Sequence, residues 1–132
     1  MCGICGVVRP HSTEVDIPEV VRRMTSALIH RGPDDEGCHF DSDVGIGIRR
    51  LSIIDLATGH QPIANEDRTA WVVFNGEIYN FKELQHRLED RGHRFKTKTD
   101  SEVIIHAYEE YGDRCVDHFR GMFAFAIWDE RR

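Results

Sequence analysis

The chain begins MCGICGVV, which places a cysteine directly behind the first methionine. Removal of Met1 would leave Cys2 as the first residue, with a free α-amine. An α-amine has a pKa of about 7.7–8.0 and a cysteine thiol one of about 8.5, so near neutral pH the amine can take the thiol proton. One residue then supplies both a nucleophile and its base. The alternative is that Cys2 has no chemical role, because any protein can carry a cysteine at this position.

Cys2 and Cys5 also form a Cys-x-x-Cys pair, a pattern that elsewhere binds metals or carries out redox chemistry. A structural zinc site usually needs two such pairs, and here Cys38 and Cys115 stand alone in the sequence. A redox pair normally lies at a helix N-terminus that follows a strand. We therefore interpret Cys5, which lies between apolar neighbours, as a core residue, and we expect no metal in this domain.

The segment FNGEIYNF places Asn75 and Gly76 between two apolar runs, which is a strong signal for a β-hairpin. A tight turn leaves backbone N–H groups free, and the Asn amide can donate beside one of them. Two donors directed at one point form an oxyanion hole. A turn needs no function, however, so the residues alone leave both interpretations open.

Arg49 and Arg50 follow an alternating strand pattern, and Asp100 precedes a helical one. An arginine at a strand end can bind a carboxylate through two parallel hydrogen bonds, or it can be an ordinary surface charge. Asp100 can cap the helix or accept an ammonium group. With the thiol and the oxyanion hole, these groups are sufficient to hold an α-amino acid and attack an amide in its side chain.

The elements that would position these groups mix strands and helices without a regular βαβ order. Apolar spacing predicts helices over about 18–28, 81–91 and 101–111, and strands over 4–8, 44–48, 70–74, 77–81, 93–97 and 121–129. This order favours an α+β fold with antiparallel sheet. The last strand lacks a return strand, so we expect the chain to be a fragment.

The composition is that of a globular domain, with 40% hydrophobic and 30% charged residues among 132. The net charge of −6 argues against nucleic acid or an anionic membrane as the main partner. No apolar run approaches the roughly 20 residues that cross a bilayer, and the N-terminus lacks the pattern of a secretory signal. We therefore expect a cytoplasmic protein with reduced cysteines.

Six segments, in order and spacing, resemble the N-terminal glutaminase domain of glutamine-dependent asparagine synthetases. They are MCGICGVV, HRGPDDEG, RRLSIIDLATGHQPI, FNGEIYNF, TDSEVIIHAYEEYG and FRGMFAFAIWD, and the likeness covers essentially the whole chain. This family is the class II glutamine amidotransferase type, an N-terminal-nucleophile hydrolase. The resemblance implies a four-layer α/β/β/α sandwich. Residues 1–132 would be a partial domain that is cut before its last strands and lacks the C-terminal synthetase domain.

The resemblance also implies residue roles. Cys2 would be the nucleophile, and Asn75 and Gly76 would form the oxyanion hole. Glutamine would be held through its α-carboxylate by Arg50 and through its α-ammonium group by Glu77 and Asp100. The remaining wall of the pocket would be formed by Leu51, Ser52, Ile53 and Ile54, and His30, Arg31 and Gly32 would support it.

The implied reaction is hydrolysis of glutamine to glutamate, with ammonia passing to ATP- and Mg²⁺-dependent amidation of aspartate on the missing synthetase domain. No cofactor is expected in the present domain. The expected partners are glutamine and the synthetase domain, and a homodimer is left open. Two alternatives are a relative that amidates or cyclises another carboxylate, and an inactive, truncated domain that serves as a binding module.

Overall fold

The computed structural model describes residues 2–9, 14–51 and 59–132. Within these ranges the strands are β1 (Gly3–Val8), β2 (Asp35–Phe40), β3 (Val44–Arg50), β4 (Ile63–Ala64), β5 (Ala70–Ile78) and β6 (Gly121–Asp129). The α-helices are α1 (Ile17–Ala27), α2 (Phe81–Glu89) and α3 (Glu102–Tyr111), and a 3₁₀ helix follows at Gly112–His118. No helix among these residues is long and apolar enough to cross a membrane.

The strands form two antiparallel sheets, with the orders β1-β3-β2 and β4-β5-β6. The two sheets face each other through an apolar layer that includes Val44, Ile46, Ile48 and Val73. Helix α1 covers the outer face of the first sheet, and α2 and α3 cover the outer face of the second. The layers therefore run α/β/β/α, which confirms the predicted fold.

Alternation along β3 explains how α1 packs so closely on the first sheet. Because successive side chains point to opposite faces, Gly45 and Gly47 lie beneath the helix while the isoleucines between them face the second sheet. A Cβ on Gly45 would lie 2.6 Å from the side chain of Ile17, and one on Gly47 would lie 2.5 Å from Thr25. The glycines therefore set the distance between this helix and its sheet.

The predicted hairpin at Asn75-Gly76 is wrong. Strand β5 runs straight through both residues, and it pairs with β6 along its whole length, from Ala70 opposite Asp129 to Ile78 opposite Gly121. Pairing with a strand more than 40 residues away in sequence overrides the local turn signal. Gly76 remains in the strand at φ +155°, where its missing Cβ avoids the backbone of β6.

Other predictions made from local sequence patterns also differ from the structure. Strand β2 was not predicted, and residues 93–97 form no strand. Asn80 followed by Glu83 predicts a capping box at the start of α2. Asn80 does precede α2, but its side chain donates to the His118 carbonyl and accepts from the Arg120 N–H, so this capping box is absent. The segment LSIIDL (51–56), whose apolar pattern predicts that it continues β3 or follows it, lies outside the described residues except for Leu51.

Candidate active site

One end of the sandwich holds a cavity of about 290 Å³. Its walls bring together seven of the residues to which the sequence assigned roles: Cys2, Arg50, Leu51, Asn75, Gly76, Glu77 and Asp100. Ser52, Ile53 and Ile54 lie outside the described residues. Groups that are up to 98 residues apart in the chain (Cys2 and Asp100) thus share one small space.

Two of these side chains are the polar ends of apolar rows in the core between the sheets. On β3, Ile46 and Ile48 face the second sheet, so Arg50 follows them on the same face. On β5, Asn75 follows Val73 in the same way, facing the first sheet. The alternation that builds the inter-sheet core therefore directs a guanidinium and an amide to the same end of it.

Cys2 enters this end from the first sheet. Gly3 pairs with Arg49, which brings Cys2 beside the last residue of β3. The backbone N–H of Leu51 donates to the Cys2 Sγ at 3.4 Å, and Sγ lies 3.8 Å from the Leu51 carbonyl oxygen. These contacts fix the sulfur at the cavity wall.

The backbone N–H groups of β5 alternate in direction. The N–H of Tyr79, just past the strand, donates to the Arg120 carbonyl at 2.7 Å, so residue 79 points its N–H toward β6. In an antiparallel pair this direction reverses at every residue. The N–H groups of the even-numbered residues of β5 therefore point away from β6, and those near its end point toward the cavity.

Two of these even-numbered groups have side-chain acceptors. The Phe74 N–H donates to Gln61 Oε1 at 2.7 Å, and the Ile78 N–H donates to Asp100 Oδ2 at 2.9 Å. Between them lies the N–H of Gly76, for which no acceptor is found among the described residues. An uncommitted backbone donor thus points into the cavity between two that are satisfied.

Asn75 places an amide next to this donor. Its Oδ1 is buried and has no hydrogen-bond partner in the described part of the chain. A side chain at Gly76 would put its Cβ 2.3 Å from the Met122 carbonyl oxygen, so this backbone position requires glycine. The sequence assigned both residues to a turn, whereas they belong to a strand edge.

Arg50 is 6% exposed, and its guanidinium lies against Gly59. A Cβ on Gly59 would lie 2.3 Å from Arg50 Nη2 and 2.8 Å from the methyl group of Thr99. Glycine therefore lets the backbone approach the guanidinium closely. A guanidinium in the wall of a cavity is well suited to bind a carboxylate.

Arg49 is also buried, so neither arginine is the surface charge that one interpretation of the sequence expected. Its Nε donates to the Gly32 carbonyl at 2.8 Å, and its Nη1 pairs with Glu36. A Cβ on Gly32 would lie 2.4 Å from the backbone of Arg49. Gly32 thus packs against the end of β3, next to the arginine that lines the cavity.

Asp100 and Glu77 place two carboxylates on one side of the cavity. Asp100 is 7% exposed, whereas Glu77 lies exposed at the rim. Burial raises the pKa of Asp100, and the nearby charge of Glu77 adds to this, although the hydrogen bond from the Ile78 N–H opposes it. The pair can receive a cationic group.

Several wall residues were not predicted. Gln61 lies outside every predicted helix and strand, although it is buried and accepts a hydrogen bond from β5. Thr99 and Ser101 flank Asp100, and the Ser101 hydroxyl donates to that of Thr99 at 2.9 Å. Two hydroxyls beside an acidic residue were an available signal for this wall. Gln61 offered none, because its role depends on a strand that follows it in the chain.

Comparison with known proteins identifies the family of this domain. The whole chain, residues 1–132, matches the model of a family described as a glutamine amidotransferase domain. The chain belongs to this family.

The glutamine amidotransferase domain is similar to the N-terminal part of longer proteins. It is 46% identical to asparagine synthetase [glutamine-hydrolyzing] 1 of Bacillus subtilis (strain 168), over 98% of this chain and 21% of that protein. It is 49% identical to asparagine synthetase [glutamine-hydrolyzing] 2 of the same organism, over 100% of this chain and 18% of that protein. It is 44% identical to the asparagine synthetase [glutamine-hydrolyzing] of Zea mays, over 99% of this chain and 22% of that protein. The chain thus spans about a fifth of these relatives.

Solved structures share the fold of this glutamine amidotransferase domain. An allosteric regulatory enzyme of purine biosynthesis matches with a TM-score of 0.74 and 20% identity, over 96% of this chain and 36% of that one. Glutamine phosphoribosylpyrophosphate amidotransferase of B. subtilis matches with a TM-score of 0.68 and 20% sequence identity, over 98% of this chain and 35% of that one. At 20% sequence identity, this structural similarity supports the assignment of the fold.

Replacing Gln61 tests its place in this glutamine amidotransferase domain. Gln61→Leu keeps the bulk but leaves the buried Phe74 N–H without an acceptor, so the free energy of unfolding should fall by about 1–3 kcal/mol. Urea unfolding followed by circular dichroism measures this. Gln85→Leu is the control, because Gln85 is a half-buried helix residue whose side-chain hydrogen bond, to Glu89, is exposed to solvent, and it should change stability by less than about 0.5 kcal/mol. Equal effects of the two changes would contradict the assignment.

Proposed function

We propose that this domain hydrolyses the side-chain amide of glutamine, with Cys2 as nucleophile. The observation that carries the proposal is the content of one cavity: a thiol, an uncommitted N–H at Gly76 beside the Asn75 amide, a buried guanidinium and a buried carboxylate. A cavity of about 290 Å³ suits a small amino acid.

The charged groups orient the substrate. Arg50 binds the α-carboxylate through paired hydrogen bonds, which a planar guanidinium favours. Asp100 receives the α-ammonium group, and Glu77 adds negative charge at the rim of the cavity. Together they direct the side chain of glutamine toward Cys2.

The chemistry then uses the remaining groups. After loss of Met1, the α-amine of Cys2 accepts the thiol proton, and Sγ attacks the side-chain carbonyl carbon. The negative charge on the oxygen is stabilised by the Gly76 N–H and the Asn75 amide. The C–N bond breaks, the amine returns the proton to the leaving nitrogen, and ammonia departs. Water hydrolyses the thioester to give glutamate and restores the thiol.

In the whole protein the ammonia serves synthesis of asparagine. The curated relatives named above are glutamine-hydrolysing asparagine synthetases, and the chain covers about a fifth of each. By this likeness residues 1–132 are part of the glutaminase domain, and a C-terminal synthetase domain would amidate aspartate with ATP and Mg²⁺. The domain described here needs no cofactor for its own step.

The nucleophile is tested by comparing the two nearby cysteines. In the full-length protein, Cys2→Ala should abolish release of glutamate from glutamine, and intact mass should show that Met1 is absent from the wild type. Cys5→Ala is the matched control; it should retain activity, because the Cys5 Sγ contacts Thr25 instead of lining the cavity. Undiminished glutaminase activity in Cys2→Ala would refute the mechanism.

Asn75→Ala tests the oxyanion hole. Loss of one such donor typically lowers kcat by about 10²–10³-fold, and KM should change far less, because the charge develops after binding. Steady-state kinetics on the full-length protein separate the two parameters. A rise in KM with kcat unchanged would show that Asn75 only binds the substrate.

Asp100 makes glutamine binding depend on pH. A protonated carboxyl cannot pair with an ammonium group, so affinity should fall with decreasing pH, beginning above the ordinary aspartate range because the pKa of Asp100 is raised. Calorimetry with the inactive Cys2→Ala protein measures the Kd at each pH. Adding Asp100→Asn, which keeps an acceptor for the Ile78 N–H, should weaken binding at neutral pH by about 10–100-fold and flatten the acid limb. If the Asp100→Asn protein lost affinity for glutamine at low pH to the same extent, a group other than Asp100 would cause the pH dependence.

A further inference from the structure

We propose that Glu66, His93, His106 and Glu109 form a binding site for one divalent transition-metal ion, such as Zn²⁺, outside the catalytic cavity. Each residue offers one ligand atom, and these four atoms lie within 4.8 Å of one another. None of the four residues lines the cavity that holds Cys2. Two imidazoles with two carboxylates are a ligand set that Zn²⁺ accepts.

Three separate parts of the chain supply the ligands. Glu66 lies in the segment between β4 and β5, and His93 follows α2. His106 and Glu109 lie on α3, three residues apart, which places them on the same face of the helix. A bound ion would therefore link the two helices to the segment that leads into β5.

Three of the distances between ligand atoms are close to those that a tetrahedral ion requires. His106 Nδ1 lies 3.3 Å from Glu109 Oε2 and 3.6 Å from Glu66 Oε2. His93 Nδ1 lies 3.7 Å from the same Glu109 oxygen. Metal–ligand bonds of about 2.0–2.2 Å in tetrahedral geometry place ligand atoms about 3.3–3.6 Å apart. The remaining pairs lie within 4.8 Å, so the side chains must move closer together to bind an ion.

Both imidazoles turn their second nitrogen toward another carboxylate. His106 Nε2 lies 3.6 Å from Glu102 Oε1, and His93 Nε2 lies 3.4 Å from Glu110 Oε2. Histidines that bind metals commonly donate the other ring N–H to a carboxylate, which fixes the tautomer and the orientation of the ring. His93 makes such a hydrogen bond to Glu110, and His106 Nε2 lies near Glu102 beyond hydrogen-bond distance, with Nδ1 of both rings toward the shared centre.

The competing occupant is a proton on His106, which is 1% exposed. Burial lowers the pKa of His106, but the carboxylates around it outweigh burial, and its pKa is raised. Two imidazoles that each donate an Nδ1–H to Glu109 would give the same approach without an ion. Titration with a metal ion distinguishes the two occupants.

The site connects to the catalytic cavity through Glu102. This buried carboxylate accepts hydrogen bonds from the backbone N–H groups of Lys96 and Thr97, at 2.8 and 2.7 Å. The Thr97 hydroxyl lies 2.8 Å from that of Thr99, which lines the cavity next to Asp100. An ion that orders His106 and Glu102 would therefore also stabilise residues 96–100.

The test is titration of metal-stripped, full-length protein with Zn²⁺ alone, followed by calorimetry, and with Co²⁺, followed by visible absorption. We expect one saturable equivalent that raises the Tm, with the intense visible bands of tetrahedral Co²⁺ and no thiolate charge-transfer band. Glu66→Gln should weaken this binding at least about tenfold, since it replaces a charged ligand with a neutral amide. Glu66 is exposed, so this variant should fold.

The matched control is Glu130→Gln. Glu130 also pairs with a histidine, since His39 Nε2 lies 3.2 Å from its carboxylate, but this pair lies outside the proposed site. The control should bind Zn²⁺ as the wild type does. The proposal is overturned by absence of saturable binding, by equal affinity in Glu66→Gln and wild type, or by a thiolate band that assigns the ion to cysteines.

Discussion

The active site depends on the face-to-face packing of the two sheets. Burial of a residue such as Ile46, Ile48 or Val73 between them contributes about 1.5–3 kcal/mol, so the sheets are held in the register that buries this face. A slip of one residue would turn every side chain of a strand to the opposite face. Arg50 and Asn75 would then leave the cavity. The burial that stabilises the core therefore also directs these two polar side chains into the cavity.

The edge of β5 that faces away from β6 carries backbone N–H groups that need acceptors. Unpaired N–H groups at a strand edge invite pairing with other chains and are costly when buried, at about 1–3 kcal/mol for each unsatisfied group. Gln61 and Asp100 satisfy the two outer groups with side-chain acceptors. The middle group, at Gly76, opens into a cavity where solvent or substrate can accept its hydrogen bond. Asp100 therefore has two tasks, since it closes the strand edge and supplies negative charge to the cavity.

Part of the fold and of the cavity could be predicted from the sequence. Cys2, Arg50, Asn75 and Asp100 were expected to share one site, and they line one cavity. Local apolar spacing sufficed for β1, α1, α3 and β6. The path of β5 could not be predicted, because an Asn-Gly pair favours a turn until a distant strand pairs across it. Strand β2, with the polar sequence DEGCHF, lacks an apolar pattern and is a strand because β3 pairs with it. Long-range pairing decided each of these cases.

Because side chains alternate between the two faces of a strand, Cys2 and Cys5 do not form a working Cys-x-x-Cys pair. Residues separated by three positions in a strand lie on opposite faces, and β1 is extended from Gly3 onward. Cys2 packs with the layer between the sheets, whereas the Cys5 Sγ lies 3.4 Å from Thr25 Oγ1 on the side of α1. Burial raises the pKa of Cys5, which keeps it a thiol near neutral pH. The two sulfurs therefore cannot bind one ion or form a redox pair without unfolding the strand, and of the two only Cys2 lines the cavity.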